Sequence, residues 1–354
     1  MSKASELSTV ILKRIRKNVY VEKIPGERSL AAEFEVDFKT ANRAVALLVE
    51  QGILYRKRGE GTFVVPTNKR RDLTLGLCFF KHTDPGRDPV FNRFFAGVNH
   101  AAKTHRLRLD VTALKDIFAN QLPTQSLQIE RFKEDVFSTN PDGLIYLGNV
   151  NPALIDVLRA DRPLIVVAQL PGKSEWHNVR RDIGTGTGDA VRRLAAQGHR
   201  KITLATYQPT NKDFDLIEKE RGYGEAIATL GLEPHILRMP TIPGEQLASL
   251  IHKISPRPTA VVATESTLGL SIMQHASKLG LRIPTDLAVI SFDDGDHGAF
   301  TQPPMSSIHA FGEELAHLAV KRMVELLDGV IKERINETLP CAYVERESSA
   351  HSIK

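Results

Sequence analysis

The chain has 354 residues, of which 42% are hydrophobic, 25% are charged and 6% are aromatic, a composition typical of soluble globular proteins with more than one domain. Two cysteines are too few for a disulfide framework and suggest no metal site, and no apolar run approaches the roughly 20 residues that span a bilayer. The first residues lack the apolar core of a secretion signal. We therefore expect a cytoplasmic protein with no membrane partner and no cofactor.

The first 66 residues predict three helices followed by a hairpin. Apolar residues recur at helical spacing within residues 7–19, and a short helix is predicted at 29–34. A third helix is predicted for 38–50, before Gly52 ends it. Two short strands, 53–58 and 62–65, complete the module.

The third predicted helix combines an anchoring face with a donor-rich face, as a helix that enters the major groove must. Asp37 stands where it can cap this helix. The apolar stripe consists of Ala41, Ala44, Val45, Leu48 and Val49. The polar residues near its N-terminal end are Lys39, Thr40, Asn42 and Arg43. Such a helix alone is more often an ordinary surface helix, so the flanking sequence has to decide.

Residues 7–65 resemble the GntR family of winged-helix regulators. The motif is carried by Ile24-Pro25, residues 27–34, Val36, Thr40, Arg43-Ala44, residues 47–54 and residues 58–64. The resemblance implies DNA contacts by the front of the third helix, by Arg28 and by Arg58, with a wing tip of Gly59, Glu60 and Gly61 in the minor groove. The implied DNA-binding residues are Arg28, Lys39, Thr40, Asn42, Arg43, Arg58, Gly59, Glu60 and Gly61. Gly26 replaces a usual serine, and Asp37-Phe38 replace a common serine and arginine, so the base preference stays open.

Residues 67–72 are predicted to be a basic linker between a DNA-binding domain at 1–66 and a second domain at 73–354. In the second domain, short apolar runs alternate with amphipathic helical stretches, which is typical of parallel α/β units. The predicted strands are 75–80, 107–111, 143–147, 164–168, 202–205, 260–263 and 287–292. Ligands of such folds bind at the carboxyl ends of strands or between lobes.

This region resembles the sensor domain of the LacI family, which is related to periplasmic sugar-binding proteins. The resemblance is carried by residues 179–202, 258–263, 280–294 and 303–308, and by Val344, Arg346 and Ser348. It implies a two-lobed α/β fold with parallel sheets. We expect one lobe to comprise 73–170 with 308–330, and the other to comprise 171–307 with 331–350.

The same resemblance implies a ligand pocket. Asp293 follows a predicted strand, where a carboxylate can accept two charge-assisted hydrogen bonds from sugar hydroxyls. Lys219 stands where the family often has a ligand-binding arginine, and Thr264-Glu265 stand where asparagine and aspartate are common. The full set of expected pocket residues is Asn92, Phe94, Phe95, Gln169, Lys219, Thr264, Glu265 and Asp293.

The combination predicts a ligand-responsive, DNA-binding transcriptional regulator rather than an enzyme. We expect a homodimer on double-stranded operator DNA that represses carbohydrate-utilisation genes until a sugar effector releases it. A nucleobase or another metabolite is the alternative effector. A nucleotide-binding enzyme is the alternative of another class, because residues 184–188 superficially suggest a phosphate loop, but they lack the spacing of such loops.

Overall fold

The computed structural model describes residues 3–16, 19–65, 73–80, 89–114, 126–148, 150, 152–170, 174–207, 213–239, 251, 256–293 and 296–350. The linker predicted at 67–72 lies outside these residues. Within them, no helix has the length and apolar character needed to cross a membrane.

The N-terminal module has the predicted order of elements. Its helices and strands are α1 (Lys3–Arg16), α2 (Glu27–Glu33), α3 (Phe38–Glu50), β1 (Leu54–Lys57) and β2 (Gly61–Val64). The two strands pair antiparallel. One apolar face of each helix supplies the core, in which Ile11, Leu30 and Leu48 are at most 1% exposed. Burial of these side chains contributes about 1.5–3 kcal/mol each relative to an exposed position. The module is a winged helix-turn-helix.

The second domain alternates strands and helices, as predicted. Its elements are β3 (Thr74–Phe80), α4 (Pro89–Thr104), β4 (Arg108–Leu114), α5 (Ser126–Phe137), β5 (Gly143–Leu147), α6 (Pro152–Asp161), β6 (Leu164–Val167), β7 (His177–Asp182), α7 (Ile183–Ala196), β8 (Ile202–Tyr207), α8 (Phe214–Thr229), β9 (His235–Met239), β10 (Ala260–Ala263), α9 (Ser266–Lys278), β11 (Ala288–Phe292), α10 (Asp296–Ala299), β12 (Ser306–His309), α11 (Gly312–Leu327), β13 (Asn336–Pro340) and β14 (Ala342–Val344).

These strands form two six-stranded sheets, one for each lobe. The first has the order β13-β7-β6-β5-β3-β4, and the second has the order β14-β12-β11-β10-β8-β9. All neighbouring strands run parallel except β12 and β14. Apolar clusters cover both faces of each sheet, which explains why β6, β10 and β11 are buried along their whole length. The two-lobed α/β architecture is confirmed.

The polypeptide chain crosses between the two lobes at positions that differ from our expectation. We assigned residues 171–307 and 331–350 to the second lobe, but β7 pairs with β6 and β13 pairs with β7 in the first sheet. The reason is that β7 carries few apolar residues, so its sequence gave little sign of a strand in a sheet core. The chain leaves the first lobe after β7, returns after β12 and leaves again between β13 and β14.

The glycines at 184, 186 and 188 lie inside α7 and allow close packing. A Cβ at Gly222 of α8 would stand 1.9 Å from the carbonyl oxygen of Gly184, and a Cβ at Gly186 would stand 2.8 Å from the Cβ of Cys341. These positions therefore need glycine for contact between α7 and its neighbours. Residues 184–188 therefore do not form a phosphate loop, because they lie within a buried part of the helix α7.

Candidate DNA-binding surface and effector cleft

The N-terminal end of α3 is fixed by a side-chain cap. The amide of Thr40 donates to Oδ1 of Asp37 at 2.9 Å, and the hydroxyl of Thr40 donates to Oδ2 at 2.6 Å. These bonds hold the pKa of Asp37 below its ordinary value, since they stabilise the carboxylate. The capping role expected for Asp37 is confirmed. The Thr40 hydroxyl, predicted to contact DNA, uses its hydrogen in this cap.

Four basic side chains of the predicted DNA-binding set are exposed and unpaired. Arg28, Lys39, Arg43 and Arg58 make no hydrogen bond or ion pair within the described part of the chain. They come from α2, from the front of α3 and from the turn after β1. Unpaired cations on one small module provide the sequence-independent attraction that DNA phosphates require.

The remaining predicted positions are held by neighbours. Asn42 accepts a hydrogen bond through Oδ1 from Nη2 of Arg56 at 2.6 Å, and the same nitrogen lies 3.1 Å from Oε1 of Glu27. This link joins α2, α3 and β1 on the exposed side of the module. Arg56 was not among the predicted residues. Its partner Glu27 lies 29 positions away, so the local sequence gave no signal of the link.

The wing tip is a tight turn between β1 and β2. Gly59 and Gly61 have φ of +80° and +115°, a region that favours glycine. Between them, the exposed carboxylate of Glu60 lies 3.4 Å from Nζ of Lys57. This pairing offsets the repulsion that Glu60 would otherwise exert on a phosphate backbone.

A second candidate site lies where the two sheets face each other. Asp293 follows β11 in a left-handed conformation with φ of +64°, and its amide donates to the carbonyl oxygen of Ile308 at 3.1 Å. The Asp293 side chain is 17% exposed. A strained backbone that is held by the surrounding structure is typical of functional positions.

Arg181 connects the two lobes at this site. It belongs to β7 of the first sheet, and its Nη2 lies 2.5 Å from Oδ2 of Asp215 in α8 of the second lobe. Its Nη1 lies 3.4 Å from Oδ1 of Asp293. The guanidinium group therefore joins two carboxylates of the opposite lobe while it is itself only 13% exposed.

Lys219 and Thr264, both predicted pocket residues, contact each other. Lys219 is 6% exposed; its Nζ donates to the carbonyl oxygen of Thr264 at 2.8 Å and lies 4.4 Å from the ring centroid of Phe292. Thr264 is buried, and its hydroxyl lies 3.4 Å from the hydroxyl of Thr206. The carboxyl ends of β8, β10 and β11 thus meet at one edge, as expected for a binding cleft.

Glu265 interacts electrostatically with this group of charges. Solvent reaches its side chain, but partial desolvation of the carboxyl group raises the pKa of Glu265, and the positive charge of Lys219 opposes this shift. The carboxylates of Asp293 and Asp213 raise it further. Burial also raises the pKa of Asp213, which caps α8 by accepting from the amide of Leu216 at 3.0 Å.

The two polar pocket residues predicted in the first lobe, Gln169 and Asn92, differ from each other in burial. Gln169 is buried at 7% exposure and donates through Nε2 to the carbonyl oxygen of Arg181 at 2.7 Å. A cavity of about 620 Å³ beside the cleft is lined by both residues. Asn92 is exposed near the start of α4, where the neighbouring Arg93 reaches Nδ1 of His309 in the second sheet at 3.3 Å.

The two predicted aromatic residues serve the core of the first lobe. Phe94 is 1% exposed and belongs to the apolar cluster under α4. Phe95 is partly buried against the same cluster, and its ring centroid lies 6.2 Å from that of Phe91. Phe94 therefore offers no open face to a ligand, which differs from our expectation. The helical register of α4 turns this side chain inward.

Sequence reasoning missed Arg181, Asp213 and Asp215. The partners of Arg181 lie 34 and 112 positions away in the chain, so no local pattern brings them together.

Comparison with known proteins agrees with an N-terminal DNA-binding domain followed by a two-lobed domain. The model for bacterial regulatory proteins of the gntR family matches residues 6–64, and that for the periplasmic binding protein-like domain matches residues 191–349. The HTH-type transcriptional repressor CytR of Escherichia coli K12 is 23% identical over 91% of this chain and 91% of its own length. A probable opine utilization operon repressor of Rhizobium rhizogenes is 30% identical over 46% of this chain and 88% of its own length.

A solved structure shares the fold of nearly the whole chain. The transcriptional regulator CelR in complex with cellobiose has a TM-score of 0.67 and 20% identity, and the match covers 92% of this chain and 100% of that one. The winged helix with its unpaired cations and the two-lobed domain with its polar cleft define a ligand-responsive, DNA-binding transcriptional regulator. The chain belongs to the bacterial regulators that join a gntR-family DNA-binding domain to a LacI-type, periplasmic binding protein-like sensor.

Proposed function

We propose that this protein is a homodimeric repressor that leaves its operator when a sugar binds between the two lobes. The observation that carries the effector assignment is the carboxylate of Asp293, presented after β11 at the meeting of the two sheets. A carboxylate in a partly dry cleft accepts strong hydrogen bonds from vicinal hydroxyls. The relatives named as repressors and the cellobiose complex of a neighbour in fold support this choice.

The charged groups around Asp293 support a polar effector. Arg181, Lys219 and Glu265 supply donors and acceptors of both signs within one cleft. A hydroxyl-rich molecule is matched to this mixture because each hydroxyl both donates and accepts. An effector that replaces the bond between Arg181 and Asp293 would change the contact that joins the lobes.

The route from effector to DNA follows from linkage. A ligand shifts an equilibrium only by its differential affinity for the two states. In the proposed dimer, the lobe arrangement favoured by the sugar spaces the two winged helices incorrectly for a two-fold operator. The residues proposed to contact the sugar are Asp293, Lys219, Thr264, Glu265, Gln169 and Asn92. Those proposed to contact DNA are Arg28, Lys39, Thr40, Asn42, Arg43, Arg58, Gly59, Glu60 and Gly61.

A thermal-shift screen of mono- and disaccharides, pentoses, sugar alcohols and purines tests the effector class. A ligand at a hundredfold excess over its Kd stabilises the native state by about 2.7 kcal/mol, which raises the melting temperature measurably. We expect a sugar to raise it in the wild type and not in Asp293→Ala. A purine that stabilises the protein when no sugar does would overturn the assignment.

A further inference from the structure

A phenyl ring stands at the front of the DNA-binding surface. Phe38 is the first residue of α3, and 51% of it is exposed. A single exposed apolar side chain needs no explanation on its own. Its position is what matters, because Phe38 lies at the exposed front of α3, directly before the exposed cation Lys39 and five residues before the exposed cation Arg43.

The first two side chains at this end of the helix, Asp37 and Phe38, have no donor for a guanine. Both carboxylate oxygens of Asp37 accept from Thr40, and the ring of Phe38 carries no polar atom. A guanine in the major groove shows two acceptors, O6 and N7, which arginine or lysine normally pairs with. Neither Asp37 nor Phe38 can form that pair, whereas Lys39 and Arg43 remain available to the flanking phosphates.

A thymine is the one base that presents an apolar group there, the 5-methyl group. We propose, building on the DNA-binding role of this module, that Phe38 is a specificity-determining residue that packs on a thymine methyl in each operator half-site. The cations next to it hold the helix against the phosphates, and the phenyl ring selects the base.

Asn42 lies one helical turn after Phe38, on the same side of α3. Its Oδ1 accepts from Arg56 at 2.6 Å, which orients the amide group. Asparagine is the side chain that pairs with the N6 and N7 atoms of adenine. The two positions together favour A·T pairs under the front of α3.

The test starts from the operator itself. The full-length protein selects its binding sequence from randomised duplex DNA, and each thymine of that sequence is then replaced in turn by deoxyuridine, which differs only by lacking the methyl group. Burial of one methyl group corresponds to about fourfold in affinity. We expect one thymine in each half-site to show this loss in a fluorescence-anisotropy titration.

Two variants assign the effect to Phe38. Phe38→Ala should bind the operator more weakly and should no longer distinguish thymine from deoxyuridine at that position. Phe300→Ala is the matched control, because it removes an 85% exposed phenyl ring from the sensor domain; it should keep the wild-type pattern. Phe38→Arg should change the preferred base at that position to guanine in a repeated selection.

The outcomes distinguish a failure of the DNA-binding role from a failure of the thymine contact alone. If the protein enriches no sequence, the DNA-binding role and the thymine contact both fail. If it enriches a sequence in which no thymine responds to deoxyuridine, or if Phe38→Ala keeps the response, the thymine contact alone is rejected.

Discussion

The DNA-binding surface and the effector cleft are both rich in charge, but their charges are arranged in opposite ways. On the winged helix, Arg28, Lys39, Arg43 and Arg58 are exposed and have no partner in the described part of the chain. In the cleft, Arg181 bonds two carboxylates, and the nearby Lys219 bonds a backbone carbonyl.

The difference fits the partner that we propose for each surface. Exposed cations remain solvated by water in the free protein, so they need no partner within it. The phosphates of a bound polyanion can pair with all of them together. A buried charge without a partner is costly, so the charges in the cleft are paired within the protein. In the proposed function, the first surface attracts DNA through long-range electrostatics, and the second exchanges its internal contacts for contacts with the ligand.

The largest expected effect comes from removing two unpaired cations. Lys39→Ala combined with Arg43→Ala should lower operator affinity by about a hundredfold or more, since each lost hydrogen bond to a charged phosphate is worth about 1.5–3 kcal/mol. The slope of log affinity against log salt should fall by about 2 in magnitude. Fluorescence anisotropy over a range of salt concentrations measures both quantities, and sugar affinity should stay unchanged.

A second double variant controls for net charge. Lys278→Ala with Arg282→Ala removes two exposed cations from the second lobe and should leave operator affinity close to that of the wild type. An equal loss in both double variants would show that net charge alone, rather than the surface of α3, attracts DNA.

A smaller effect is expected in the cleft. Asp293→Ala should weaken sugar binding by about 10- to 100-fold, because a hydrogen bond to a charged group is worth about 1.5–3 kcal/mol. Arg181→Ala removes a donor to the sugar, but it also removes the guanidinium group that the sugar has to displace from Asp293. These two effects oppose each other, so this variant should weaken sugar binding less than Asp293→Ala does. Isothermal titration calorimetry gives both affinities and that of the double variant, from which a coupling energy follows.

Asp286→Ala is the matched control for the cleft. It removes an aspartate of the same lobe that is paired with Arg282 away from the cleft, and it should not change sugar affinity. If Asp286→Ala and Asp293→Ala have equal effects, Asp293 has no specific role in the pocket.

The smallest expected effect concerns the cap of α3. The pKa of Asp37 lies below its ordinary 3.8 in the folded protein, so its stabilisation is present above pH 3.8 and is lost as the pH falls through the lowered value. Asp37→Ala should therefore raise the hydrogen-exchange rate of residues 38–50 at neutral pH. Asp37→Asn, which keeps a capping oxygen, should stay near the wild type and lose the acid dependence.

Local patterns predicted the elements well where one chain segment carries the whole signal. The strands Gly143–Leu147 and Ala260–Ala263 have the bounds that their apolar runs predicted, and the capping oxygen of Asp37 fixed the start of α3. In each case the residues that decide the structure are neighbours in sequence. The strand β7 was harder, because its polar sequence reflects a position at the boundary between lobes.

The cleft was predictable only in part, for the same reason. Resemblance to a family brought Lys219, Thr264 and Asp293 to attention, and the structure gathers them at the ends of β8, β10 and β11. Arg181 escaped attention because its role depends on carboxylates that folding brings from distant parts of the chain. Phe94 was assigned to the pocket by position alone, without the helical register that directs it into the core.

The passage from β13 to β14 has a mechanical consequence. Cys341 is the single residue between Pro340, which ends a strand of the first sheet, and Ala342, which begins a strand of the second. Consecutive Cα atoms are about 3.8 Å apart, so this tether has almost no slack. The lobes can pivot about Cys341 but cannot slide apart at that point, so relative motion of the lobes at this connection is a rotation rather than a separation.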